Sequence, residues 1–199
     1  MRTRSLILLV LLVTLSGCWV KYQVFPIVDP LPSVYEPAAP PRCRQIVEFR
    51  RPLAKTSVWE QQQLSAALEE ALKNYGGCSS RSPVDYTSKG AETEVVVSVL
   101  EKLCPWYYEI PGVIFLLSGG IFPHYCGQSG WVLSYSVYDR NALNKTYTYE
   151  ITSKELYWAV LLPFIWINFF TDRLEDAGRS TTAQFVVDAQ RDGYLGAKN

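Results

Sequence analysis

Apolar and polar residues alternate along this chain with three distinct periods, and each period predicts a different element. Residues 6–13 are an unbroken apolar run behind Arg2 and Arg4. The run is too short to cross a bilayer, which takes about 20 apolar residues. Residues 45–49 read as a strand. Leu64, Leu68, Ala71, Leu72 and Tyr75 recur at helical spacing after the Ser57–Glu60 capping-box pair, and Gly76–Gly77 can stop the turn. These signals predict an amphipathic helix over 57–75. Residues 94–103, rich in valine, read as a buried strand. Residues 131–139 place Trp131, Leu133, Tyr135 and Val137 on one face, and 145–152 alternate in the same way. Together they predict an antiparallel hairpin with a loop at 140–144. Ser180 is a candidate N-cap for a last helix ending near Arg191 before Gly193. The order predicts an α+β fold: a mostly antiparallel sheet with amphipathic helices packed on one face.

Two longer apolar segments break this pattern, 110–123 and 156–170. Pro111, Gly112, Gly119, Gly120 and Pro123 argue against a straight helix in the first, and Pro163 interrupts the second. The first leads into the hairpin and the second leaves it, so both gather at one end of the sheet. Three uses are open. The segments fill the core, insert shallowly into a bilayer, or dock on an integral membrane partner. The contact residues are Ile114, Phe115, Leu117, Ile121, Phe122, Trp158, Leu162, Phe164, Ile165, Trp166 and Phe169.

The segment Leu15-Ser16-Gly17-Cys18, after a basic start and an apolar run, resembles the lipobox of bacterial lipoproteins. The resemblance implies export, cleavage before Cys18 and acylation of that cysteine. It divides the chain into a signal peptide at 1–17, a lipidated proline-rich tether at 18–42 and a single periplasmic α+β domain at 43–199. Trp19, where aspartate would favour inner-membrane retention, implies the periplasmic face of the outer membrane. Pro26, Pro30, Pro32, Pro37, Pro40 and Pro41 mark the tether, whose apolar residues can alternatively pack on the domain. Residues 116–125 and the strand after them resemble small lipoproteins of Gram-negative bacteria, a likeness that carries no catalytic or binding motif.

Composition narrows the functions. Removing Arg2 and Arg4 from 19 basic residues leaves 17 against 19 acidic, a formal −2. That balance gives no excess to neutralise phosphates, so nucleic acid is not an expected partner. The expected partners are membrane lipid through Cys18 and an envelope membrane protein. Lipidation of Cys18 leaves four cysteines, Cys43, Cys78, Cys104 and Cys126, which predict two disulfides in an oxidising compartment. All three pairings are open. The single histidine, His124, and the absence of CxxC spacing argue against zinc, and no cofactor is expected. His124 and Cys126 share a strand face, so a Cys–His nucleophile is conceivable, although a disulfide at Cys126 competes with it. Glu92/Glu94 and Glu175/Asp176 read as solvated surface. The arginines at 42, 44, 50 and 51 read as edge-strand charge or as a contact for anionic lipid. The chain is therefore expected to be a non-enzymatic envelope lipoprotein with a structural, assembly or accessory role. A lipid-binding module and an enzyme of unrecognised site are the rivals.

Overall fold

The computed structural model describes residues 19–27, 32, 34, 43–49, 58–80, 93–105, 109–118, 121–140, 142–158, 161 and 170–195. Among them are six strands: β1 (Trp19–Val24), β2 (Cys43–Phe49), β3 (Cys78–Ser80), β4 (Thr93–Lys102), β5 (His124–Asp139) and β6 (Ala142–Tyr157). Three helices accompany them: α1 (Val58–Gly76), α2 (Glu109–Leu117) and α3 (Leu174–Arg191). The strands form an open, mixed and mostly antiparallel sheet in the order β1-β6-β5-β4-β2-β3, so the fold is α+β. The parallel pairs are β2 with β3 and β2 with β4. A parallel return needs a crossover, and α1 supplies it between β2 and β3.

The chain divides into two compact units. The first comprises Met1–Val24, Lys102–Gly130 and Thr152–Asp172; the second comprises Phe25–Glu101, Trp131–Ile151 and Arg173–Asn199. The sixteen-residue strands β5 and β6 contribute to both.

The second unit holds the main apolar core. Trp131, Leu133, Tyr135 and Val137 of β5 are buried with Val95, Val97 and Val99 of β4. Leu64, Leu68 and Leu72 of α1 and Phe185, Val186 and Ala189 of α3 join the same cluster. On the other face of β5, Ser134 pairs with Thr148 and Ser136 with Thr146 across the hairpin. At Gly178 the two long helices approach closely, because a Cβ there would lie 2.9 Å from Leu64 Cδ1. Lys145 and the Tyr147 hydroxyl both reach the Asp192 carboxylate, while the Tyr149 hydroxyl donates to Asp188 at 2.7 Å. These bonds tie β6 to α3.

Three local expectations give way here. The last helix starts at Leu174, six residues before Ser180. The Asp176 carboxylate accepts the Arg173 N–H at 3.3 Å, and acidic residues in the first turn suit the helix dipole. Ser180 lies inside the helix and donates to the Pro26 carbonyl at 2.6 Å. The helix does end as expected. Gly193 takes φ +83°, and the Tyr194 and Gly193 N–H groups close a Schellman pair on Ala189 and Gln190. The hairpin loop is shorter than 140–144, since β6 begins at Ala142 and Arg140 adopts φ +49°. A two-residue connection needs such left-handed geometry to match the strand twist. The first apolar segment contains α2 despite Pro111, which falls in the first turn, where its missing N–H would have had no intrahelical partner.

In the first unit, residues 19–24, assigned by sequence to the tether, are instead β1. They pair antiparallel with β6, Trp19 opposite Tyr157 and Val24 opposite Thr152. Ser153 Oγ donates to the buried Gln23 at 2.7 Å, which fixes this register from the side-chain level. Most of the proline-rich remainder, 28–42, and residues 50–57 with the expected capping-box serine lie outside the described residues.

Structure decides the cysteine pairing. Cys43 bonds Cys78 and Cys104 bonds Cys126, with Cα separations of 4.4 and 6.2 Å. One bridge staples each unit. All four positions should resist alkylation in native protein, and a non-reduced peptide map should join 43 to 78 and 104 to 126. A 43–104 or 43–126 linkage would refute the pairing.

Candidate functional site

The candidate site is built on α2 and the turn after it, within the first unit. Ile110, Val113, Ile114 and Leu117 occupy positions i, i+3, i+4 and i+7, one stripe of the helix. All four are exposed, Leu117 to 83%. Pro111 and Gly112 are the half-buried residues between them. Along this stripe the large apolar side chains face out. Ile121, 70% exposed, and Phe122 extend the stripe beyond the helix.

Specific bonds hold this presentation. The Ser118 N–H donates to the Ile114 carbonyl at 2.9 Å, and Phe122 N–H donates to Ser118 Oγ at 3.3 Å. From the strand side, Trp158 Nε1 donates to the Ile121 carbonyl at 2.9 Å. Beneath α2 lies the His124 imidazole, against Gly112, where an added Cβ would meet its Cε1 at 3.4 Å. The Tyr157 ring packs on the same imidazole with centroids 5.7 Å apart. The disulfide Cys104–Cys126 closes the base of the excursion that carries α2.

Of the residues expected at the contact surface, Ile114, Leu117, Ile121 and Phe122 share this exposed patch, and half-buried Trp158 braces it. The Phe115 side chain and Leu162, Phe164, Ile165, Trp166 and Phe169 lie outside the described residues. Ile110 and Val113 belong to the stripe although no contact role was expected of them. Their helical spacing is legible in the sequence, but Pro111 and Gly112 between them argue against a straight helix. Tyr125 and Phe170 are also exposed, the latter to 81%.

The chemical alternatives look different in three dimensions. Cys126 is disulfide-bonded, so its sulfur is no thiolate nucleophile for His124. Asp176 of the Glu175/Asp176 pair caps α3, and Glu92 is outside the described residues. Among the described residues no group of histidine, cysteine and carboxylate side chains could hold a metal ion. The tyrosine–aspartate network of the second unit is a set of proton-holding donors. Burial first, then the Asp192 and Asp188 carboxylates, push the Tyr147 and Tyr149 phenols up. Hydrogen bonds from Lys145 and Tyr147 hold Asp192 below its ordinary value. Among the described residues, no helix is long and apolar enough to cross a membrane. No protein-family profile matches the chain, and no curated protein matches it.

Proposed function

We propose that this chain is an acylated bacterial envelope lipoprotein with a non-enzymatic structural, assembly or accessory role, exerted through its apolar surface. The outward stripe Ile110, Val113, Ile114, Leu117 carries the reading, because folding alone gives no reason to keep four large apolar side chains in water. The lipobox-like Leu15-Ser16-Gly17-Cys18 supports the anchor. Two or three acyl chains make desorption rare, since each buried CH₂ contributes about 0.8 kcal/mol. Trp19 supports the periplasmic face of the outer membrane. In this reading α1 and α3 cover one face of the second unit's strands. Docking on an integral envelope protein is the second use of the same surface. Exposure of Leu117 and Ile121 favours a surface over an enclosed lipid cavity.

The test is maturation in cells. Globomycin, which blocks the lipoprotein signal peptidase, should accumulate the precursor, and Cys18→Ser should abolish palmitate labelling. Normal processing under globomycin, or label that survives the substitution, would end this reading.

A further inference from the structure

We infer that the α2 stripe is seated in the leaflet that holds the acyl chains of Cys18, so that lipid and helix form one two-point contact with a single membrane. The inference rests on the acylation proposed above and names the occupant of the apolar surface.

Strand β1 carries the argument. It begins at Trp19, leaving no spacer after Cys18. Consecutive Cα atoms lie about 3.8 Å apart, and facing residues of an antiparallel pair about 4.5–5.5 Å apart. Trp19 faces Tyr157, and Trp158 follows it. The path from position 18 through 19 and 157 to 158 is therefore at most about 13 Å between Cα atoms. Trp158 in turn bonds the Ile121 carbonyl at the end of the stripe. One leaflet's hydrocarbon is about 15 Å deep, half of a roughly 30 Å core. The anchor thus lies within that depth of Trp158, the residue that holds the end of the stripe. The prolines from Pro26 onward come after the anchored strand, so they add no slack between lipid and stripe.

Chemistry selects hydrocarbon as the occupant. None of residues 110–122 is charged, whereas a protein interface ordinarily surrounds its apolar centre with a polar rim. Backbone groups that enter hydrocarbon need internal partners. Here the Ser118 N–H reaches Ile114, the Phe122 N–H reaches Ser118 Oγ and the Ile121 carbonyl takes the Trp158 indole N–H. Tyr157, packed on His124, and Trp158 flank the stripe with amphipathic rings of the kind that settle at the headgroup level. An anchor with no intervening linker raises the local concentration of lipid, so a shallow insertion suffices.

The experiment uses the full acylated protein in phosphatidylethanolamine–phosphatidylglycerol vesicles containing alkyne-tailed phospholipid. A photoreactive amino acid replaces Leu117, Ile121 or, as control, exposed Leu143 of β6. Lipid adducts at least tenfold more abundant at 117 and 121 than at 143 are expected. Equal yields at all three positions, or none at 117 and 121, with Cys18 acylated by intact mass, overturn shared seating and leave the lipoprotein reading standing. Protein–protein adducts at 117 in place of lipid do the same and assign the surface to a partner. A Cys18 found unacylated overturns both.

Discussion

Phe185→Ala should lower the stability of the protein by about 3–5 kcal/mol, as truncation of a buried aromatic does. Phe185 has no exposed surface. It stacks on Tyr135 with ring centroids 4.4 Å apart and meets Tyr147 edge-on at 5.5 Å. Its removal leaves a void between α3 and the hairpin strands that neither tyrosine can fill. Tyr135 is held by its hydroxyl on Thr182 at 2.9 Å, and Tyr147 by Asp192. A domain's whole stability is about 5–15 kcal/mol, so this loss is a large share of it. Urea titration followed by tryptophan fluorescence checks it. A midpoint within error of the parent would mean that this cluster is not the core. Tyr135→Phe keeps the stacking and loses only the hydroxyl bond, so it should cost about 1 kcal/mol.

The second large effect is on membrane partition. Ile114→Glu with Leu117→Glu should leave the urea midpoint nearly unchanged, because substitutions of exposed residues usually stay within about 0.5 kcal/mol. The same pair should cut vesicle binding of an unacylated form, residues 18–199 with Cys18→Ser, by about 10²–10³-fold. Each side chain withdrawn from hydrocarbon forfeits about 1.5–2 kcal/mol, and every 1.4 kcal/mol is about tenfold in partition. Leu143→Glu, on an exposed β6 position, is the control and should float like the parent. Flotation of all three proteins to equal extent would remove the stripe from any membrane role.

Much of the architecture is written in local period. The two-residue alternation of 131–137 and the helical recurrence of Leu64, Leu68 and Leu72 place those residues in the core without reference to anything distant. The four cysteines beyond Cys18 likewise foretell two bridges. The candidate site is different. Its stripe is present in the sequence as 110, 113, 114 and 117, but a period states only that the four residues share a side. Which side meets water depends on what packs underneath, and that is His124 and Tyr157, brought there by β5 and β6.

Other features were decided only in three dimensions, for the same reason. Trp19–Val24 reads as the start of a linker until β6 offers its edge more than a hundred residues later. The three cysteine pairings are equivalent along the chain and are separated only by Cα distances in the fold. The start of α3 moved from Ser180 to Leu174 because Asp176 caps the earlier turn while Ser180 finds a partner in Pro26. Sequence alone determined the type of most elements and which of their residues share a face, since both follow from contacts within a few residues. Tertiary structure decided partners and facing, since those are set by residues that meet only after the chain has closed on itself.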